Sequence, residues 1–294
     1  MLKKPQLLLG FADYEAPAKN LAEALNIPYA PVAVHQFPDG ESKLTITADL
    51  PARIAICRSL NQPNNKLIEL LLASRTARLN GALEITLIAP YLCYMRQDIA
   101  FNPGEAVSQK IIGQFLAEQF DAVITVDAHL HRVHELCQAV PVTHAINLSA
   151  ARIIGDHIKN SVQNPLLVGP DEESKQWVQS AAKSGNFDYA VARKQRMGDA
   201  SVKVSLPDLD FTKRNVVILD DMASTGQTII ETAQQLTSQK VRGIHCAVTH
   251  ALFDDQITQR MHQAGIETLW STDSVQHPTN HISLAQLLGS VFNA

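Results

Sequence analysis

Two adjacent carboxylates, Asp220 and Asp221, end the apolar run Val216-Val-Ile-Leu219 and are followed at once by Met222-Ala-Ser-Thr-Gly-Gln-Thr228. Such an apolar run suits a buried strand, and open α/β sheets bind ligands at the carboxyl ends of their strands. The residues from Thr228 onward have helical spacing. A helix start offers unpaired backbone N–H groups and the positive end of a dipole, both suited to a phosphate. Ser224, Thr225 and Thr228 add hydroxyl donors, and Gly226 lets the backbone approach closely. Carboxylates beside a phosphate cradle repel the anion, a conflict that disappears when the ligand carries a diol next to its phosphate, because ionised carboxylates accept hydrogen bonds from hydroxyls. A ribose 5-phosphate has both parts. The loop is not a Walker A motif, since the Gly-Lys-Ser/Thr ending is absent. An isolated acidic pair would read as a polar strand end before a capped helix; the whole pattern from Asp220 to Thr228 points to the sugar phosphate.

This segment, DDMASTGQT, resembles the phosphoribosyl diphosphate (PRPP) loop shared by type I phosphoribosyltransferases and ribose-phosphate diphosphokinases, the PRPP synthetases. Further segments resemble the synthetases in the same order along nearly the whole chain. Phe37-Pro-Asp-Gly-Glu41, by its own residues a turn, is similar to a segment whose Phe37, Asp39 and Glu41 reach the ATP site of a neighbouring subunit. Asn61-Gln-Pro-Asn-Asn-Lys-Leu-Ile-Glu-Leu70 resembles the loop and helix after the second strand, with Asn64 as cap. Pro90-Tyr-Leu-Cys-Tyr-Met-Arg-Gln-Asp98 resembles the ATP-site motif, in which Arg96 suits polyphosphate and Gln97 an adenine edge; the plainer reading is a surface ion pair of Arg96 with Asp98. Phe101-Asn-Pro-Gly-Glu105, followed by Ser108, is closer to archaeal-type members. By resemblance His129, supported by Asp127, contacts magnesium or phosphate, and Asp171 in Val168-Gly-Pro-Asp-Glu-Glu-Ser174 serves Mg²⁺ beside the pyrophosphate. Lys194 and Arg196 match a pair on a flexible catalytic loop, where two cations would close over the transferred diphosphate.

The resemblance implies the reaction of MgATP with ribose 5-phosphate to give PRPP and AMP. It implies an active site between two phosphoribosyltransferase-like domains, and a homo-oligomer, at least a dimer. Ser224, Gln227, Ile99 and the pair Glu172–Glu173 depart from the usual pattern. Two other readings are a non-catalytic regulatory homologue and a phosphoribosyltransferase that consumes PRPP.

The elements that must hold these residues follow from hydrophobic periodicity. Strands are expected at 6–9, 54–57, 85–89, 122–126, 165–168, 188–192, 216–219 and 243–248, and helices at 16–25, 64–80, 108–119, 150–159, 173–183 and 228–239. Their alternation predicts an α/β protein with two parallel-sheet domains of the type I phosphoribosyltransferase kind, 1–145 on the ATP side and 146–294 on the ribose 5-phosphate side. The polar stretch 195–210 is expected to be a hairpin or a flap, and 272–281 to be irregular. The length of 294 residues suits two domains, and 46% hydrophobic residues suit real cores. A formal charge of −4 offers no broad basic field for nucleic acid or an anionic membrane. Four scattered cysteines lack metal-ligand spacing, and neither a targeting segment nor a run long enough to span a bilayer is evident, so a cytoplasmic protein is expected.

Overall fold

Buried strands alternate with helices as the periodicity predicts, and they build two separate sheets. The computed structural model describes residues 2–47, 49–130, 132–196 and 202–292, without the side chains of 194–196 and 202–204. The chain divides into two units, 1–148 with 274–276 and 283–294, and 149–273 with 277–282.

The first unit contains β1 (Leu7–Phe11), α1 (Glu15–Leu25), β2 (Tyr29–Gln36), β3 (Ser42–Ile46), β4 (Arg53–Cys57), α2 (Pro63–Leu79), β5 (Glu84–Ile88), α3 (Ser108–Gln119), β6 (Ala122–Val126), α4 (Leu136–Ala139) and β7 (His144–Leu148). Its sheet runs in the order β3-β2-β1-β4-β5-β6-β7. The pairings are parallel except that β3 folds back on β2. This hairpin was not foreseen beyond its Pro38–Gly40 turn, because most of its side chains are exposed or half-exposed and so lack a strong apolar signal.

The second unit contains α5 (Ala151–Ser161), β8 (Pro165–Gly169), α6 (Lys175–Gly185), β9 (Asp188–Val191), β10 (Arg193–Arg196), β11 (Val202–Ser205), β12 (Asn215–Ala223), α7 (Gln227–Thr237), β13 (Gly243–Ala251), α8 (Asp255–Gln263), β14 (Ile266–Thr272) and β15 (Asn280–Ile282). The sheet order is β15-β14-β13-β12-β8-β9, all parallel. The polar stretch forms a separate antiparallel pair, β10 with β11. Residues 280 and 281, expected to be irregular, form with Ile282 the edge strand β15.

The last helix, α9 (Ala285–Gly289), belongs to the first unit and packs on α1. The expected division at 145/146 gave this tail to the second half; the chain instead returns, since Leu284, Ala285, Leu288 and Phe292 are apolar and become buried there. Each sheet buries continuous runs such as Ile54–Cys57 and Val216–Leu219. Fully burying one such Val, Leu or Ile contributes roughly 1.5–3 kcal/mol, which makes these strands rigid platforms for whatever stands at their ends.

Both sheets reverse their winding once. In the first unit the chain moves from β1 to β2 on one side and later inserts β4 on the other; in the second it moves from β8 to β9 and later inserts β12 on the far side of β8. The crevices beyond the carboxyl ends of β1/β4 and β8/β12 are therefore topological switch points, where open α/β sheets place ligands.

Candidate functional site

At the switch point of the second unit, β12 overhangs β8. Its pairing with β8 stops at Ile218–Val168, while its pairing with β13 continues through Asp220–Val248 to Ala223–Ala251. The strand thus runs past the expected end at 219, and the two acids stand on its projecting tip. Asp221 is 3% exposed and Asp220 half-buried. The Asp221 N–H donates to Asp220 Oδ1 at 3.0 Å. Burial holds the Asp220 carboxyl well above the usual carboxylate range, and the negative charges of Asp221 and Asp171 push it further.

Asp171 stands just beyond β8, across the switch point from β12. Its Oδ1 accepts the N–H groups of Glu173 and Ser174, each at 3.2 Å, which ties the turn that opens α6. Ser174 is buried, and a Cβ on Gly169 would lie 2.4 Å from its Oγ, so the glycine permits this close turn. Glu172 and Glu173 are exposed, so their bulk occupies solvent.

Beyond β12 the chain passes through half-buried Ser224 and exposed Thr225 to Gly226, whose φ of +65° is left-handed. A Cβ at Gly226 would also lie 2.5 Å from Met261 Cε and 2.8 Å from Ile257 Cγ2, against α8. The N-cap of α7, Gly226, has no side chain to cap the helix, and Thr225 Oγ1 lies 3.5 Å from the Gln227 backbone N. The helix begins at Gln227, one residue earlier than expected. Its first N–H groups and helix dipole face the loop, with Thr228 in the first turn. Gln227 donates from Nε2 to Glu231 Oε1 at 2.7 Å and accepts from Arg260 Nη2 at 2.9 Å. This departure from the usual glycine therefore joins α7 to α8 by side-chain bonds. Cys246 on β13 is kept protonated by burial and by the nearby Asp220, so it offers no thiolate.

The first unit carries the expected ATP-side residues at or beyond strand ends. Phe37, Asp39 and Glu41 are all exposed on the β2–β3 tip. The tip is braced internally. Phe37 N–H donates to Glu41 O at 2.8 Å, Gly40 N–H to Phe37 O at 2.9 Å, and Glu41 N–H to Asp39 Oδ1 at 3.1 Å. Gly40, at φ +93°, supplies the left-handed residue this turn requires.

Arg96, beyond β5, is exposed. It does not pair with Asp98, as the plainer reading had it: Asp98 is buried and paired with Arg132 Nη1 at 2.6 Å. Gln97 is anchored to the start of α3 through Ser108 Oγ at 3.2 Å and Gln109 N–H at 3.1 Å. Asp127 is buried with φ +41° and donates its N–H to Leu148 O at 2.8 Å, turning the chain so that His129 stands half-buried beyond β6.

By backbone, Lys194 and Arg196 lie on β10 opposite Val204 and Val202. Their side chains lie outside the described part of the structure. A groove of about 410 Å³ in the first unit opens among Lys3, Arg53, Glu84 and His144, near strand starts, and none of the expected residues lines it.

Four charged residues of the first unit escaped the sequence reading. Asp13, Arg58, Lys66 and Glu69 meet at its switch point. Arg58 Nε lies 3.0 Å from Asp13 Oδ1 and Arg58 Nη1 2.6 Å from Glu69 Oε2, the latter an ion pair without an aligned N–H···O bond. Lys66 Nζ lies 2.8 Å from Asp13 Oδ2. The signal was available, since Arg58 directly follows the apolar run Ile54–Cys57, as Asp220 follows Val216–Leu219.

Two α/β sheets, one bearing paired acids before a helix start at its switch point, have the architecture of the phosphoribosyl-handling class. Comparison with known proteins makes the class specific. The family described as the N-terminal domain of ribose phosphate pyrophosphokinase matches residues 7–119, and the phosphoribosyl transferase domain family matches 141–283. The ribose-phosphate pyrophosphokinase of Methanopyrus kandleri is 33% identical over 91% of this chain and 91% of its own. That of Methanosarcina acetivorans is 31% identical over 96% of this chain and 97% of its own. The crystal structure of phosphoribosylpyrophosphate synthetase from Mycobacterium smegmatis aligns over 98% of both chains with a TM-score of 0.82 at 22% identity, a likeness of fold. The chain belongs to the ribose-phosphate pyrophosphokinase family.

Proposed function

We propose that this protein transfers the diphosphate group of MgATP to the anomeric hydroxyl of ribose 5-phosphate, giving PRPP and AMP. The anomeric oxygen attacks the β-phosphorus, the bond from that phosphorus to the α-phosphate bridging oxygen breaks, AMP leaves with the bond's electrons, and the hydroxyl proton passes to solvent. No covalent enzyme intermediate is needed, so catalysis is positioning and charge neutralisation. Asp220 and Asp221 accept from the ribose diol. Ser224, Thr225, Gly226 and Thr228, with the open start of α7, hold the 5-phosphate. Arg96, Gln97 and His129 hold ATP, and Phe37, Asp39 and Glu41 take the adenine end of a neighbouring subunit's ATP in a homo-oligomer. Lys194 and Arg196 act on the transferred diphosphate. The observation that carries the reading is the placing of Asp220 and Asp221 on the projecting tip of β12 directly before the start of α7, whose N-cap is Gly226. Carboxylates accept from diol hydroxyls, and a helix start suits a phosphate.

The donor chemistry fits Mg²⁺. Among the described residues no group of three His, Cys, Asp or Glu side chains forms a cage for a metal. Mg²⁺ characteristically takes one or two carboxylates and completes its shell with water and phosphate oxygens. Asp171 in the second unit and His129 in the first are each candidate contacts for the ion, which would neutralise charge on the polyphosphate. Among the described residues no helix is long and apolar enough to cross a membrane. The four free cysteines suit a reducing compartment such as the cytoplasm. Phosphorus NMR of the protein with MgATP and ribose 5-phosphate tests the reading. AMP and PRPP are expected. Absence of turnover would leave a non-catalytic homologue, and pyrophosphate released from PRPP with a nucleobase would mark a phosphoribosyltransferase.

A further inference from the structure

The buried charges at the first unit's switch point touch none of the residues given a role above, yet they connect to the base of the Phe37–Glu41 tip. Ser42, the first residue of β3 and the next residue after Glu41, donates from Oγ to Glu69 Oε1 at 3.1 Å. The other Glu69 oxygen pairs with Arg58, whose guanidinium carbon sits 4.0 Å from the Phe11 ring centre and whose Nε pairs with Asp13. Lys66 closes the set, holding Asp13 Oδ2, the Ser59 carbonyl and Asn61 Oδ1, each at 2.8 Å. Glu69 and Arg58 are 8% and 6% exposed. A buried ion pair is weak as a source of stability, and its best-attested use is to fix one arrangement among several. Here the arrangement fixed is that of an exposed hairpin with few apolar side chains to hold it.

We propose that Glu69, fastened by Arg58, is a positioning residue that sets the β2–β3 tip for the adenine end of ATP. It acts through Ser42 on Phe37, Asp39 and Glu41 and itself touches no substrate. The inference rests on the nucleotide reading of that tip.

The test uses the full-length protein with Ser42→Ala, which deletes only the last link, and Glu69→Gln, which keeps an acceptor for Ser42 but removes the charge facing Arg58. Ser42→Ala is expected to raise KM for ATP about 3–10-fold, the loss of one hydrogen bond, while kcat and KM for ribose 5-phosphate stay within about twofold. Glu69→Gln should retain at least half of wild-type ATP affinity, a rescue that a charge-only role would not show. Amide exchange at 36–42, measured without substrates, should quicken in Ser42→Ala and not elsewhere. Unchanged exchange at 36–42 in Ser42→Ala overturns the proposal, as does an equal loss in all kinetic constants. A wild-type protein that makes no PRPP would instead strike at the proposed reaction, and the exchange measurement would still decide whether Ser42 and Glu69 hold the tip.

Discussion

The two switch points of this molecule share a topology and carry opposite electrostatics. In the first unit, Asp13 and Arg58 stand just beyond β1 and β4, and their charges are matched by each other and by Lys66 and Glu69. In the second, Asp171 stands just beyond β8 and Asp220 and Asp221 near the end of β12, where burial and then the charges of Asp221 and Asp171 raise the Asp220 pKa. A crevice filled with matched ions is internally satisfied. A crevice lined with several carboxylates suits a ligand that brings hydroxyl donors or a cation. On the proposed reading, one switch point supports a surface hairpin and the other takes the substrate.

The largest effect expected lies outside both crevices. Lys194→Ala should lower turnover by about 10³-fold, the scale of losing one preorganised charge at a transition state, while ribose 5-phosphate binding measured by calorimetry stays unchanged. An unchanged kcat would remove Lys194 from the mechanism.

Asp220→Asn should break the second crevice in two opposed ways. It should lower kcat/KM by about 10²-fold, because the amide accepts from the diol more weakly than a carboxylate. It should also raise the melting temperature of the free protein at neutral pH. The sign follows from linkage: a carboxyl with a raised folded pKa binds more protons in the native than in the unfolded state. Its unfavourable contribution is absent below the unfolded value of about 3.9, grows as pH rises from there towards the raised folded pKa, and is constant above it. Melting curves against pH should therefore lose part of their downward slope in Asp220→Asn. Ribose 5-phosphate affinity in the wild type should weaken as pH falls through the raised value, above the range of an ordinary carboxylate.

The same kind of change in the first crevice should have the reverse sign. Glu69→Ala leaves Arg58 buried with Asp13 alone and should destabilise the fold by about 3 kcal/mol in urea denaturation. A stabilising Glu69→Ala, or a destabilising Asp220→Asn, would erase the contrast between the two switch points.

Arg96→Ala should be the mildest. Arg96 is exposed and Asp98 has Arg132, so the melting temperature should hold within about a degree. KM for ATP should rise about 10-fold, the loss of one charge-assisted contact.

Much of this was legible in the sequence, for physical reasons that also mark where legibility ended. Val216–Leu219 and Ile54–Cys57 announce buried strands because every side chain is apolar. The extension of β12 to Ala223 was not visible, since Asp220 and Asp221 interrupt the apolar signal while the backbone keeps pairing with β13. The β2–β3 hairpin was missed apart from its turn, because alternation on a mostly exposed edge is faint. The return of α9 to α1 is a tertiary choice between two apolar surfaces, which local periodicity does not encode. At the site, the resemblance named the residues and the structure supplied surroundings that the letters lack. Asp98 is committed to Arg132 and Gln227 to Glu231 and Arg260, while Glu172 and Glu173 are exposed.

The most direct test is a crystal structure of the protein with ribose 5-phosphate. The account predicts the phosphate against the backbone of 224–228 at the start of α7, with the ribose hydroxyls on Asp220 and Asp221. A sugar bound elsewhere, or the two acids turned into internal ion pairs with the loop empty, would contradict it.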